Sequence, residues 1–106
     1  MGNLAETGKR EIVESKVTKM AEILKVLANE NRLTIFCVLM ETPLTVSELA
    51  GHLPGITQSA LSQHLSILKA HGILNSSKSG QKVTYFIADE KIAEVIRVMK
   101  KYYCEP

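Results

Sequence analysis

Thr57-Gln58-Ser59-Ala60-Leu61-Ser62-Gln63-His64-Leu65-Ser66-Ile67-Leu68-Lys69 decides how the rest of this chain is read. Leu61, Leu65 and Leu68 fall at i, i+4 and i+7, the spacing of one apolar stripe on a helix. Thr57 is a natural N-cap, and Gly72 stops the helix after about His71. Opposite the stripe stand Ser59, Ser62, Gln63 and Ser66, small hydroxyls and amides where a solvent face would ordinarily carry Lys and Glu. The segment sits in a window without a carboxylate: residues 49–88 hold Lys69, Lys78 and Lys82 and no Asp or Glu. The window is therefore +3. The remainder, 10 basic (13 − 3) against 11 acidic, is −1. Positive potential is concentrated where a polyanion could dock.

Working toward the C-terminus, Ile73–Ser77 and Lys82–Ala88 predict two strands about a Ser79-Gly80 turn, with Val83, Tyr85 and Ile87 alternating against Thr84 and Phe86. Asp89 caps a last helix whose apolar residues are Ile92, Val95, Ile96, Met99, Tyr102 and Tyr103. Toward the N-terminus, Pro54-Gly55 makes a turn, and Thr45-Val46-Ser47-Glu48 is a capping box that opens a short helix through about Gly51. A helix from about Arg32 to Met40, ended by Pro43, has apolar residues on nearly every side and belongs at the centre of the domain. Val17, Met20, Ala21, Leu24, Leu27 and Ala28 repeat the spacing of the last helix. These matching stripes point to a dimer seam, or each covers the domain's own core. Residues 1–14 are polar and unpatterned and are expected to form a flexible tail, with one domain over 15–106.

The expected fold is mainly α with a small β-hairpin: a winged helix-turn-helix, homodimeric through its terminal helices. A chain of 106 residues, 45% hydrophobic and 23% charged, suits one small ordered domain that a partner subunit would help. No apolar run approaches the roughly 20 residues that span a bilayer, and no leader pattern opens the chain, so no membrane partner and a cytoplasmic location are expected. There is no Ser, His and acid arrangement, phosphate loop or Cys-x-x-Cys, so the expectation is a non-enzyme without a cofactor.

A helix fits the major groove, where Ser and Gln share hydrogen bonds with base edges, and a basic hairpin tip reaches neighbouring phosphates. The candidate contacts to double-stranded DNA are Gln58, Ser59, Ser62, Gln63, His64, Ser66 and Lys69 on the helix, with Lys78, Gln81 and Lys82 on the hairpin. His64 flanks the leucine stripe, so its partner is either inside the domain or a phosphate. The rival reading is a winged-helix protein-interaction module, which would lack the steep salt dependence of DNA binding.

Leu27-Ala28-Asn29-Glu30-Asn31-Arg32-Leu33, Gln58-Ser59-Ala60-Leu61-Ser62-Gln63-His64-Leu65, and Gly80-Gln81 followed by Tyr85 resemble the ArsR-type bacterial repressors over about residues 16–104. The resemblance implies a homodimeric repressor that binds an inverted-repeat operator and leaves it when an inducer is sensed. Leu53-Pro54-Gly55-Ile56-Thr57 is one residue longer than is usual there. The family's metal sensors place a Cys-x-Cys-like cluster in the short helix, or carboxylates and His along the last one; this chain has neither. His52, His64 and His71 are not at i, i+3 or i, i+4 spacing, so no metal site is expected. Cys37 and Cys104 are similar to the pair in the family's dithiol branch, which implies thiols bridged by sulfur when reactive sulfur species or oxidants rise. Taken singly, Cys37 reads as a buried core filler and Cys104 as a frayed end. A metal- or metalloid-responsive repressor is the alternative within the family.

Overall fold

A computed structural model describes the backbone of residues 4–104 and the side chains of residues 13–104. The elements run α1 (Leu4–Leu27), α2 (Glu30–Glu41), β1 (Leu44–Thr45), α3 (Val46–His52), α4 (Gln58–Ala70), β2 (Leu74–Ser79), β3 (Lys82–Ile87) and α5 (Glu90–Tyr103). This is a winged helix-turn-helix, with α3 and α4 as the helix pair and β2–β3 as the wing. The tail expected over residues 1–14 is helical from Leu4, and residues 1–3 lie outside the described residues.

Helix ends follow local chemistry. α2 begins at Glu30, two residues before the expected start, because Asn29 is the N-cap and its Oδ1 accepts the Arg32 amide at 3.1 Å. Thr45 and Glu48 form the anticipated capping box: the Glu48 amide donates to Thr45 Oγ1 at 3.2 Å and the Thr45 amide to Glu48 Oε1 at 2.9 Å. Thr57 caps α4. At its other end Gly72 takes φ +71°, its amide donates to the Lys69 carbonyl and the Ile73 amide to the Leu68 carbonyl, both at 3.0 Å. That is a Schellman closure. It holds Ile73 in the helix end, so β2 starts at Leu74 and not at Ile73 as expected.

The wing turn is Gly80–Gln81, one residue later than expected: Ser79 pairs with Lys82, and Gly80 takes φ +62° at the first central position. Glycine at that position is what a two-residue II′ turn requires. The hairpin also gains a third strand. Leu44 opposes Tyr85 and Thr45 opposes Thr84, giving an antiparallel sheet of order β1-β3-β2. Thr45 thus pairs with the wing and caps α3 at once, tying the two units together.

α2 supplies the centre of the core through Ile35, Phe36 and Leu39, against Leu49, Leu61, Leu65, Leu68, Ile73, Leu74, Ile92, Ala93 and Ile96. The lengthened α3–α4 connection is anchored at both ends, with Leu53 buried and Ile56 packed on the core. The terminal stripes divide. Leu27, Ile92 and Ile96 are in the core, whereas Val13, Val17, Met20, Leu24, Val95, Val98, Met99, Tyr102 and Tyr103 are 48% to 84% exposed. Among the described residues no helix is long and apolar enough to cross a membrane.

Candidate nucleic-acid interface and thiol pair

The leucine stripe turns α4 so that its opposite side faces out. Ser59, Ser62, Gln63 and Ser66 are all exposed and line one shallow depression, together with Ile67. Ile67 was not among the residues singled out from sequence, where apolar residues are read as core. It is 37% exposed, and its position four residues after Gln63 puts it beside the exposed Ser and Gln side chains, where an alkyl group could meet a thymine methyl.

Gln58, at the start of α4, lines a second groove with Gln81 and Lys82 of the wing and with Ser47 and Glu48 of α3. Glu48 is the last carboxylate before the acid-free window. Its carboxyl is held below the usual range by the Thr45 amide, then by the Thr45 hydroxyl, with Lys82 also acting on it. Lys78 is exposed on β2. Lys69 reaches across to the wing, where its Nζ donates to Ser76 Oγ at 2.8 Å. An ammonium has three donors, so this bond ties α4 to β2 and leaves two for a phosphate.

His64 is set apart from the exposed side chains of α4. Its side chain is half-buried, and its Nδ1 lies 3.4 Å from Arg32 Nη1 on α2. The position follows from helix geometry: His64 stands three residues after Leu61 and four before Leu68, on the flank of the buried stripe. Burial, and secondly the Arg32 cation, push its pKa down.

Cys37 and Cys104 are both free thiols, the first half-buried on α2 and the second exposed at the end of α5. Burial pushes the Cys37 thiol up, as its setting in an apolar helix predicts; Lys100 opposes this and Cys104 adds to it. The end of α5 therefore acts electrostatically on the α2 thiol. Lys100, in the last turn of α5, and Cys104, its C-cap, lie one helical turn apart. Among the described residues no cluster of three or more His, Cys, Asp or Glu could hold a metal ion.

A model of the family described as bacterial regulatory protein, arsR family, matches residues 29–76, from the α2 cap into the wing. The transcriptional activator HlyU of Vibrio cholerae is 38% identical over 93 residues, 88% of this chain and 85% of that protein. Reduced HlyU from Vibrio cholerae superposes with a TM-score of 0.82 at 37% identity, covering 90% of this chain and 99% of that one. The transcriptional repressor BigR from Xylella fastidiosa gives 0.80 at 30% identity, with 92% and 98% covered. A homodimeric winged helix-turn-helix DNA-binding domain, Mb0332 from Mycobacterium bovis, gives 0.74 at 26% identity, with 84% and 82% covered. Helix caps, reading helix, wing and relatives thus agree, and the chain belongs to the arsR family of bacterial regulatory proteins as a winged helix-turn-helix transcriptional regulator.

Proposed function

We propose that the protein is a homodimeric repressor that binds an inverted-repeat operator in the reduced state and releases it when Cys37 and Cys104 of one subunit are bridged by reactive sulfur species or oxidants. The observation that carries this reading is the pairing, in one chain, of an exposed Ser- and Gln-bearing helix face in an acid-free window with two free thiols, one half-buried on α2 and one exposed at the end of α5. Ser59, Ser62, Gln63 and Ser66 read base edges; Gln58, Lys69, Lys78, Gln81 and Lys82 serve base or phosphate contacts. His64 contributes indirectly, through the position of α4. The terminal helices present the apolar surface of a subunit seam, in keeping with a homodimeric structural relative, and a relative solved in a reduced form fits a thiol-based signal.

The thiolate is the attacking species, and burial of Cys37 disfavours it. Slow attack on peroxide leaves a persulfide or polysulfide as the better inducer, since its sulfur chain also adds reach. A direct disulfide needs Cα atoms about 4.4 to 6.8 Å apart, and each inserted sulfur extends the bridge by roughly 2 Å. Each thiol gives up a proton, and the two electrons pass to the oxidant or cleave S–S bonds of the polysulfide, whose remaining sulfur leaves as hydrosulfide or a shorter polysulfide.

The test is a binding series on the protein's own upstream region, reduced against polysulfide-treated, with intact mass measured in parallel. Release on treatment, with sulfur mass added to a cross-linked subunit and no release in Cys37→Ser, is the expected result. A mass loss of two hydrogens alone refutes polysulfide bridging. A folded Cys37→Ser that fails to bind the operator when reduced refutes the division between sensing and reading. Affinity that ignores salt favours the interaction-module reading, and release by stoichiometric zinc from a Cys37→Ser protein favours a metal sensor.

A further inference from the structure

The geometry points to Arg32 as the positioning residue that sets the rotation of the reading helix α4 about its own axis, and so the protein's ability to tell one DNA sequence from another. This rests on the operator-reading function proposed above. Arg32 lies in the first turn of α2, yet its guanidinium joins three helices. Nε donates to the Val26 carbonyl at 2.6 Å, and Nη1 approaches Nδ1 of His64 at 3.4 Å. Val26 is next to last in α1, so its carbonyl has no amide of its own helix to accept, and a cation at that negative helix end is doubly favoured. A guanidinium only donates. His64 Nδ1 therefore accepts, which requires a neutral ring carrying its proton on Nε2.

Burial of Leu61, Leu65 and Leu68 holds α4 to the core, but apolar burial has no preferred direction and tolerates a small roll. The contact with His64, a long and weak hydrogen bond at 3.4 Å, is nonetheless directional, and His64 directly follows Ser62 and Gln63. A roll of about 15° moves a side-chain tip some 6 Å from the helix axis by about 1.5 Å. That is enough to take a hydrogen bond to a base edge out of its range of about 2.7 to 3.2 Å. Phosphate attraction to Lys78 and Lys82 survives such a roll, because those side chains act as flexible charges on the wing. Loss of the Arg32 link therefore lowers specific binding and spares non-specific binding.

The test uses full-length Arg32→Met and Arg32→Lys, each titrated against the protein's own upstream region and against an unrelated duplex of equal length at one salt concentration, with thermal melts of both. Met keeps the aliphatic stem and removes every donor. Lys keeps the charge but cannot hold the carbonyl and the imidazole together. His64→Asn, which offers an acceptor near the Nδ1 position, is the rescue control. Expected is a fall of about tenfold in the ratio of operator to unrelated affinity in both Arg32 variants, the scale of one lost base contact, and little change in His64→Asn. An unchanged ratio in Arg32→Lys, or equal losses on both duplexes, overturns the inference. Should Arg32→Met not fold, Arg32→Lys and His64→Leu give the same two readings. A wild-type protein that fails to distinguish the duplexes refutes instead the operator function on which the inference rests.

Discussion

His64 is the residue at which acid should reach the fold. Burial and the Arg32 cation hold its pKa down, while an unfolded histidine titrates near 6.5. Below that value the unfolded chain takes up the proton first, so stability rises with pH through this window and is lost as the pH falls. Protonation also removes the acceptor at Nδ1 and sets two cations face to face. The melting temperature is expected to drop between neutral pH and about pH 5.5, and to drop less in His64→Asn; parallel curves for the two proteins would show that another group is responsible. Cys37 gives the second prediction. Burial raises its pKa, Lys100 lowers it and Cys104 raises it. Lys100→Gln removes the one favourable influence among these, so the thiolate fraction at neutral pH must fall. In a Cys104→Ser background, alkylation of Cys37 by iodoacetamide is expected to be several-fold slower with Lys100→Gln than without it. Equal rates would mean that the ammonium does not reach the thiol.

Helix ends hold the reading unit in place, and here the costs are conventional in size. Gly72 adopts φ +71° with open space around the position of a Cβ, so Gly72→Ala meets no clash and the cost is conformational, about 1 kcal/mol. Thr57→Ala removes the α4 cap at 3.1 Å from the Ala60 amide and should cost a similar ~1 kcal/mol. Urea unfolding of both variants checks this; a neutral Gly72→Ala would mean that the Schellman closure contributes nothing net. These ends were legible in the sequence because a cap is an agreement among residues three or four apart. The leucine stripe and the exposed serines were legible for the same reason. β1 was not: Leu44 and Thr45 become a strand only because Tyr85 and Thr84, some forty residues later, are there to pair with them. The side chosen by His64 was equally hidden, since position on α4 gives the flank of the stripe but not the arginine that waits there. Ile67 escaped because an apolar residue carries no local mark that tells core from reading face. The start of α1 escaped because a helix without an apolar stripe resembles a polar tail in sequence.

One subunit leaves surface unsatisfied. Its radius of gyration is 17.1 Å, where a compact chain of this length would have about 13 Å, and its extents are 58 × 38 × 21 Å. Exposed apolar side chains on α1 and α5, among them Met20, Leu24, Val95 and Met99, account for much of the surface that a second copy would cover. In the proposed dimer such a seam would set function as well as stability, because two reading helices enter successive major grooves only when held about 34 to 36 Å apart. Lys100 of α5 and its C-cap Cys104 both bear on Cys37 of α2, so the proposed bridge between the thiols would pull on the same helix that would form the seam. Leu24→Glu combined with Met99→Glu places charge in that surface without touching the core, α4 or the wing. Each subunit should fold with unchanged helix content, sediment as a monomer at micromolar concentration, and lose at least about a hundredfold in operator affinity, since a single half-site forfeits the second set of contacts. The variant's affinity for an isolated half-site should match that of the wild type. If the double variant still sediments as a dimer, the seam lies elsewhere; if it is monomeric yet binds the full operator undiminished, the spacing of two reading heads is not what recognises the site.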